Sequence, residues 1–432
     1  MHRQNQNSNI DNDHQQRNHH QNRTQHSHSN YQPNKYQHPS HQNHNHQNRP
    51  IKNHAILQRC LYQVDETKND ANKDNRIRVV SYNILADKLL YENLYLYTNS
   101  DVEHAPFWFN WEYRKHLLLQ QIVGPEYVTT VADIPSLYKF LYFNTEQLLK
   151  PDLIAFQELD HFDEILGDLA PFGYQGIFKK RTGDKHDGCA IFYKTDKLTL
   201  IDSHSVDYNR STGDACGLLS TRFDDTTELF TKLRSIYLKQ NFAENHPIHT
   251  GEATSSSFLD KDNIGLIALF QQKTGSKKHL VFANTHLLYN PKREDIKLQQ
   301  IDLLLHETKA FTDKHSLIDP AMIFAGDFNS DPYTDVYKFM LKQELKYGDD
   351  VSLSHPFELR SALSSRNKEP SCTSIVKRSP KTVDYIFHNN NLRVFRTMKM
   401  SHLPDNVLGE SRIPNKFHPS DHLLLAAEFT VC

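Results

Sequence analysis

The sequence has no pair of cysteines placed to clasp a metal or to frame a small disulfide-built domain. Its five, Cys60, Cys189, Cys216, Cys372 and Cys432, are odd in number, widely spaced and free of any C-x-x-C pair, which argues against both a structural zinc site and a disulfide scaffold. A reducing compartment is the expectation. No apolar stretch approaches the length of a membrane span, and Met1 is followed by polar residues rather than by the apolar core of a secretion signal. The chain therefore reads as a soluble intracellular protein of the cytoplasm, with no membrane partner. A glycine-rich phosphate loop and an internal repeat are also lacking. So is a basic excess: residues 1–54 take six of the 50 lysines and arginines but only two of the 52 acidic residues, leaving the remainder mildly acidic. Any contact with nucleic acid should then be local rather than a broad electrostatic footprint. Apolar residues are almost missing from positions 1–54, which hold Met1, Ile10, Tyr31, Tyr36 and Ile51 among Asn, Gln and His. Such a tail cannot bury enough surface to offset the entropy of ordering, so disorder and no catalytic role are expected of it.

What is present from Arg76 onward is a series of short β-branched and aromatic runs: Ile77–Leu85, Leu153–Leu159, Gln175–Phe178, Cys189–Tyr193, Ile264–Phe270, Leu280–Leu287, Met322–Phe328, Thr382–Phe387 and Leu423–Phe429. These are strand-length. Helical periodicity marks Phe107–Val123, Leu137–Leu149, Phe162–Leu169, Ile296–Phe311 and Val336–Leu345. Strands outnumber helices, so the pattern predicts an α/β four-layer sandwich, two packed mixed sheets flanked by helices, rather than a parallel doubly wound sheet with a helix after nearly every strand. A single domain over residues 76–432 is expected, with 208–262 as a polar surface excursion.

Several of these runs end or begin in polar side chains that could converge at a sheet rim. Asn83 closes the first run and Glu158 the second; Asn284 and His286 close Leu280–Leu287; Asp327 and Asn329 close Met322–Phe328; Asp384 opens into Tyr385; Asp421 and His422 precede the last run. Any one of them, alone, is more readily a turn cap or a satisfied structural residue. Together they ask for one ligand. Oxygen donors such as Glu158, Asn83 and Asp421 suit Mg²⁺ or Mn²⁺, which keep waters and bind phosphate, whereas zinc would want more His and Cys.

The blocks that carry these residues are Ser81-Tyr82-Asn83-Ile84-Leu85-Ala86, Phe156-Gln157-Glu158-Leu159, Asp187-Gly188-Cys189-Ala190, Asn284-Thr285-His286, Gly326-Asp327-Phe328-Asn329-Ser330, Val383-Asp384-Tyr385 and Ser420-Asp421-His422. In this order they resemble the endonuclease/exonuclease/phosphatase superfamily over roughly residues 76–430. Asp187–Ala190 and Asn83–Ala86 look like its carbon-catabolite-repressor and nocturnin branch. The run Ala283 to Arg293 with Asp295 to Leu298, together with Leu259 to Leu266 and Thr382 to Phe387, is similar to the Angel proteins of that branch. Two stretches depart from the pattern, residues 124–147 and 208–255. Where deadenylases carry an aromatic that helps hold adenine, this chain has Ser374-Ile375-Val376-Lys377-Arg378, which weakens the case for a poly(A) preference.

The resemblance implies a fold, a metal and roles. Glu158 would be the principal ligand of Mg²⁺, or Mn²⁺, with Asn83 and Asp421 completing the site. Asp327 would orient and deprotonate the attacking water, Asn329 would hold it or a phosphate oxygen, and His422, steered by Asp384, would stabilise charge on the phosphate. Asn284, His286 and Asp187 would line the same cleft, although Asp187 also suits a plain turn. Lys292, Arg293 and Lys297 could grip an RNA backbone, a solvated helix start being the blander reading; Tyr333 could stack on a base or be core. The substrate implied is an RNA 3′ end, attacked as by a 3′–5′ exoribonuclease or opened at a 2′,3′-cyclic phosphate. Translation or mRNA-decay factors are the implied partners. Another phosphoester within the same fold, or a catalytically silent binding module, remains open.

Overall fold

The structure, a computed structural model, describes residues 61–63, 73–99, 101–124, 127, 149–209, 231–233, 235–236, 261–347, 351–364, 368–377, 379–398, 412–416 and 418–432. They belong to one unit, Asn53–Cys432. The tail at 1–54, all but Leu149 of the helix expected at Leu137–Leu149, nearly all of the extra stretch at 124–147 and most of the excursion at 208–262 lie outside them.

In chain order the strands are β1 (Leu61–Gln63), β2 (Arg76–Asn83), β3 (Leu153–Leu159), β4 (Tyr174–Lys180), β5 (Gly188–Lys194) and β6 (Leu198–Asp207). They continue with β7 (Ile264–Gln272), β8 (His279–His286), β9 (Ala321–Asp327), β10 (Glu344–Tyr347), β11 (Val351–Ser354) and β12 (Leu359–Ser361). The last are β13 (Ser374–Val376), β14 (Ser379–Lys381), β15 (Asp384–Asn389), β16 (Leu392–Met398) and β17 (Leu425–Val431). The helices are α1 (Asp87–Glu92), α2 (Leu94–Tyr97), α3 (Trp111–Val123), α4 (Phe162–Leu169), α5 (Glu294–Lys314) and α6 (Asp335–Lys342).

A seven-stranded sheet runs β1-β16-β17-β2-β3-β5-β4, and a six-stranded sheet runs β12-β15-β9-β8-β7-β6. Both are mixed, with β2 parallel to β3 and β8 parallel to β9 among antiparallel pairs. The strands are apolar on both faces because both faces are covered. On β2, β3 and β8, Val79, Leu153, Ala155 and Phe282 enter the core between the sheets. Their neighbours Val80, Ile154 and Phe156 pack outward against Leu118 and Ile122 of α3 and Ile165 of α4. On the other side Val281, Ala283 and Phe324 meet Ile301, Leu304 and Leu305 of α5 and Phe339 of α6. Three apolar layers between four layers of elements make the expected sandwich.

Four strands of the large sheets went unread in the sequence. Edge strands β1 and β12 are only three residues long, the next-to-edge strand β16 and edge strand β6 mix polar with apolar residues, and β6 in particular carries Asp202, Ser203, His204 and Ser205. The excursion leaves and returns at one point: Asp207 pairs with Ile264 in the β6–β7 ladder, and Tyr208 donates its backbone N–H to Asn263 O at 3.3 Å.

Candidate active site

Strand register alone lines up half of the site. His286 on β8 pairs with Asp327 on β9, which pairs in turn with Asp384 on β15, so the second sheet presents three polar groups in one row. On the first sheet Asn83 pairs with Gln157, and Glu158 follows it. Between Phe156 and Leu159 the β3–β5 ladder shifts register, and Glu158 adopts a left-handed backbone with φ 55°. A bulge of this kind re-aims one side chain, and strain there marks a position that surrounding structure enforces. Leu159 pairs with Gly188, which brings Asp187 beside Glu158; Asp421 and His422 arrive just ahead of β17, the partner of β2.

Hydrogen bonds knit the two rims together. The Asn83 side-chain amide donates to Glu158 Oε1 and, across the cleft, to Asp327 Oδ2, each at 3.0 Å, while its Oδ1 accepts from Leu85 N. Glu158 Oε2 accepts from Ala86 N at 3.2 Å. His422 Nδ1 lies 2.9 Å from Asp384 Oδ2, and its Nε2 points at Asp327 Oδ2 from 3.6 Å. His286 Nε2 approaches the same oxygen at 3.5 Å. Asn329, with φ 49°, donates its backbone N–H to Asp327 Oδ1 at 2.9 Å.

Burial sorts the charges. For His422, burial opposes the imidazolium, but the Asp384 and Asp327 carboxylates outweigh it and lift its pKa well above the ordinary value, so it is cationic at neutral pH. Burial takes His286 the other way, down to about 4 against the pull of Asp327, so it is neutral. Burial, then Asp384, raises the Asp327 carboxyl. Glu158 is pushed up to about 7 by burial and by the neighbouring Asp421 and Asp187 carboxylates.

That crowding bears on a metal. Asp421 Oδ1 and Asp187 Oδ2 are buried without a hydrogen-bond partner, and such bare oxygens beside an acid forced towards neutrality are what a bound divalent cation would satisfy. The donors are oxygens, which fits Mg²⁺ or Mn²⁺. Asp327, Asp384 and His422 also offer atoms within 4.8 Å of one another, but there the imidazolium already supplies the positive charge. Glu158 and Asp421 could hold a cation through their oxygens, with Asn83 bracing Glu158 through its amide nitrogen.

Not every residue singled out in the sequence presents itself to the cleft. Asn284 is fully buried, and its amide is engaged by Gln157 Nε2, Phe156 O and Ala190 O at 2.8–2.9 Å, so it staples the two sheets beneath the site. Lys297 is not a surface grip: it is buried, and its ammonium donates to Asn329 O at 2.6 Å. Arg293 pairs with Asp295, and Lys292 alone of the three is exposed. Tyr333 is not core, being 68 % exposed. Three contributors escaped the sequence reading. Arg181 pairs with Asp187 and brings a cation to that rim; Arg114, fully buried, donates to Ile84 O, Leu85 O and Pro419 O at 2.9–3.1 Å, tying the turn after Asn83 to the turn before Asp421. Tyr97 donates its hydroxyl to Asp421 Oδ2 at 2.9 Å.

Known proteins resemble this chain in sequence and fold. Carbon catabolite repressor protein 4 homolog 4 of Arabidopsis thaliana is 28% identical over 372 residues, covering 82% of this chain and 78% of its own length. Protein angel of Drosophila melanogaster is 27% identical over 376 residues, covering 84% of this chain and 83% of its own length. Some other curated relatives are longer, and the chain spans about half of them. The solved structure of ANGEL2, a 2′,3′-cyclic phosphatase, in complex with adenosine-2′,3′-vanadate aligns with a TM-score of 0.60 and 25% identity over 87% of this chain and 99% of that one. The model of the Endonuclease/Exonuclease/phosphatase family matches residues 81–422, a span that begins two residues before Asn83 and ends at His422. The chain belongs to that family of phosphoester hydrolases.

Proposed function

We propose that this protein hydrolyses phosphoesters at the 3′ end of RNA with Mg²⁺ or Mn²⁺, and that a 2′,3′-cyclic phosphate is its preferred end. The observation that carries the hydrolytic part is the meeting of groups from both sheets: Glu158, Asp421 and His422 from the first and Asp327 and Asp384 from the second, bridged by Asn83, which lies 3.0 Å from both Glu158 and Asp327. Similarity to Protein angel and to the ANGEL2 structure favours the cyclic end, as does the lack of an aromatic in Ser374–Val376. A 3′–5′ exonuclease is the second reading, favoured by the similarity to a CCR4-Not complex 3′–5′ exoribonuclease subunit.

Glu158 and Asp421 would hold the cation, which supplies charge stabilisation to the phosphoryl oxygens and the leaving group. Asp327, made more basic by burial, takes the proton of the attacking water. Asn329 holds that water or a phosphate oxygen in line. The His422 imidazolium, kept charged and oriented by Asp384, donates to a phosphate oxygen as negative charge builds on it. His286 and Asp187 line the cleft, the latter fixing the Arg181 guanidinium where it can meet the anion. Cytoplasmic mRNA-decay or translation factors are the partners this reading suggests.

One RNA oligonucleotide prepared with three ends, 3′-hydroxyl poly(A), 3′-hydroxyl mixed sequence and 2′,3′-cyclic phosphate, tests it. The expected result is opening of the cyclic end without shortening. A ladder from the hydroxyl ends would make the exonuclease reading correct, and silence on all three, matched by an Asp327→Ala protein, would point to a binding role.

A further inference from the structure

Asp421 is held in an unusual way for a buried carboxylate. One oxygen, Oδ2, accepts the Tyr97 hydroxyl at 2.9 Å, and the other, Oδ1, is buried with no partner. No lysine or arginine pairs with it among the described residues. A buried, bare carboxylate oxygen gives up its hydration with nothing in return, so the arrangement persists for a reason. Tyr97 ends the short helix α2 and is itself buried, packed with Leu85, Leu90, Leu94 and Phe109. Its ring is thus fixed by a small apolar cluster that belongs to neither sheet, and only its hydroxyl reaches the site.

A neutral donor does something that a cationic one cannot. An arginine or lysine at this position would orient Asp421 but cancel its charge, leaving little attraction for a second cation. A tyrosine fixes the rotamer, occupies one oxygen and leaves both the full negative charge and the other oxygen available. Outer donors of this kind orient metal ligands, and their loss commonly costs about 10–100-fold in metal affinity.

We propose that Tyr97 is a positioning residue for Asp421 and sets the affinity of the site for its divalent cation. The inference rests on the reading of Glu158 and Asp421 as the cation site, and the test separates the two. Mn²⁺ binding to the full-length protein without substrate is followed by the electron paramagnetic resonance of free Mn²⁺, for wild type, Tyr97→Phe, Asp421→Asn and Leu94→Ala. Tyr97→Phe should weaken binding about 10-fold or more, and its RNA cleavage should recover towards the wild-type rate as Mn²⁺ is raised. Leu94→Ala, which loosens the same cluster and leaves the hydroxyl, should bind nearly as wild type and serves the test if the phenylalanine variant does not fold. Wild-type affinity in Tyr97→Phe alongside loss in Asp421→Asn overturns the inference and leaves the site assignment standing. Equal weakening in Leu94→Ala also overturns it, because packing rather than the hydroxyl would then be responsible. Wild-type binding in Asp421→Asn overturns the site assignment and the inference together.

Discussion

His422 shows how a single residue's state is decided by competition. Burial alone would discharge it, as burial discharges His286, which is neutral with a pKa of about 4. The difference is Asp384, both of whose oxygens lie within 3.1 Å of His422 Nδ1. The sign follows: with its pKa raised, the imidazolium persists as pH climbs past the ordinary histidine value, and the activity it supports persists with it. In Asp384→Asn the larger raising partner is gone, leaving Asp327, which at His286 does not outweigh burial. The kcat of that variant should already fall with rising pH below about 6.5, the unperturbed histidine value, where the wild type does not lose activity. A pH–rate profile checks this; superimposable alkaline limbs would refute the role of Asp384. The pairing itself was legible in the sequence only through the resemblance, because Asp384 and His422 are far apart in the chain and nothing local links them.

At the scale of elements, the long apolar strands were readable because their burial on both faces leaves an almost uninterrupted apolar run. Leu153–Leu159 and Phe162–Leu169 have in the structure the bounds expected from sequence. Of the edge strands only β4 was read, since a half-solvated strand such as β6 carries the polar residues of a loop and β1 and β12 are too short to show a pattern. Helices α1 and α2 lack any side-chain cap and are broken at Asn93, whose φ is −122°, so they give no start or stop signal, and Tyr97 was missed with them. Arg114 was hidden differently: inside the expected helix α3, an arginine looks like a solvated residue until Ile84, Leu85 and Pro419 close over it. The Gly-Asp element has its own constraint. At Gly326, with φ 150°, an added Cβ would lie 2.0 Å from Thr285 O on β8. Gly326→Ala must therefore push β8 and β9 apart beneath His286 and Asp327. A loss of about 3 kcal/mol or more is expected, read as a drop in denaturant midpoint, with a near-wild-type midpoint contradicting the close strand approach.

Across the whole molecule, two sheets pack face to face over one apolar layer, and their strand ends bring acids from separate strands to one cleft. The cost is electrostatic: Glu158 is pushed up to about 7 by burial, and then by the Asp421 and Asp187 carboxylates crowding it. Its pKa is raised above the unfolded value, so ionising it works against the metal-free fold increasingly as pH rises from the unfolded value through about 7. A cation that binds only the folded state reverses this, and adds stability by mass action. The most direct test of the account is Glu158→Gln, which keeps the side chain's shape and removes its charge. Wild type should gain thermal stability on adding Mg²⁺, more at pH 8 than at pH 6, and should open a 2′,3′-cyclic phosphate RNA end. Glu158→Gln should fold, lose the Mg²⁺-dependent gain and cleave slower by about three orders of magnitude. A folded Glu158→Gln protein that is stabilised by Mg²⁺ as before and cleaves at the wild-type rate would contradict the account.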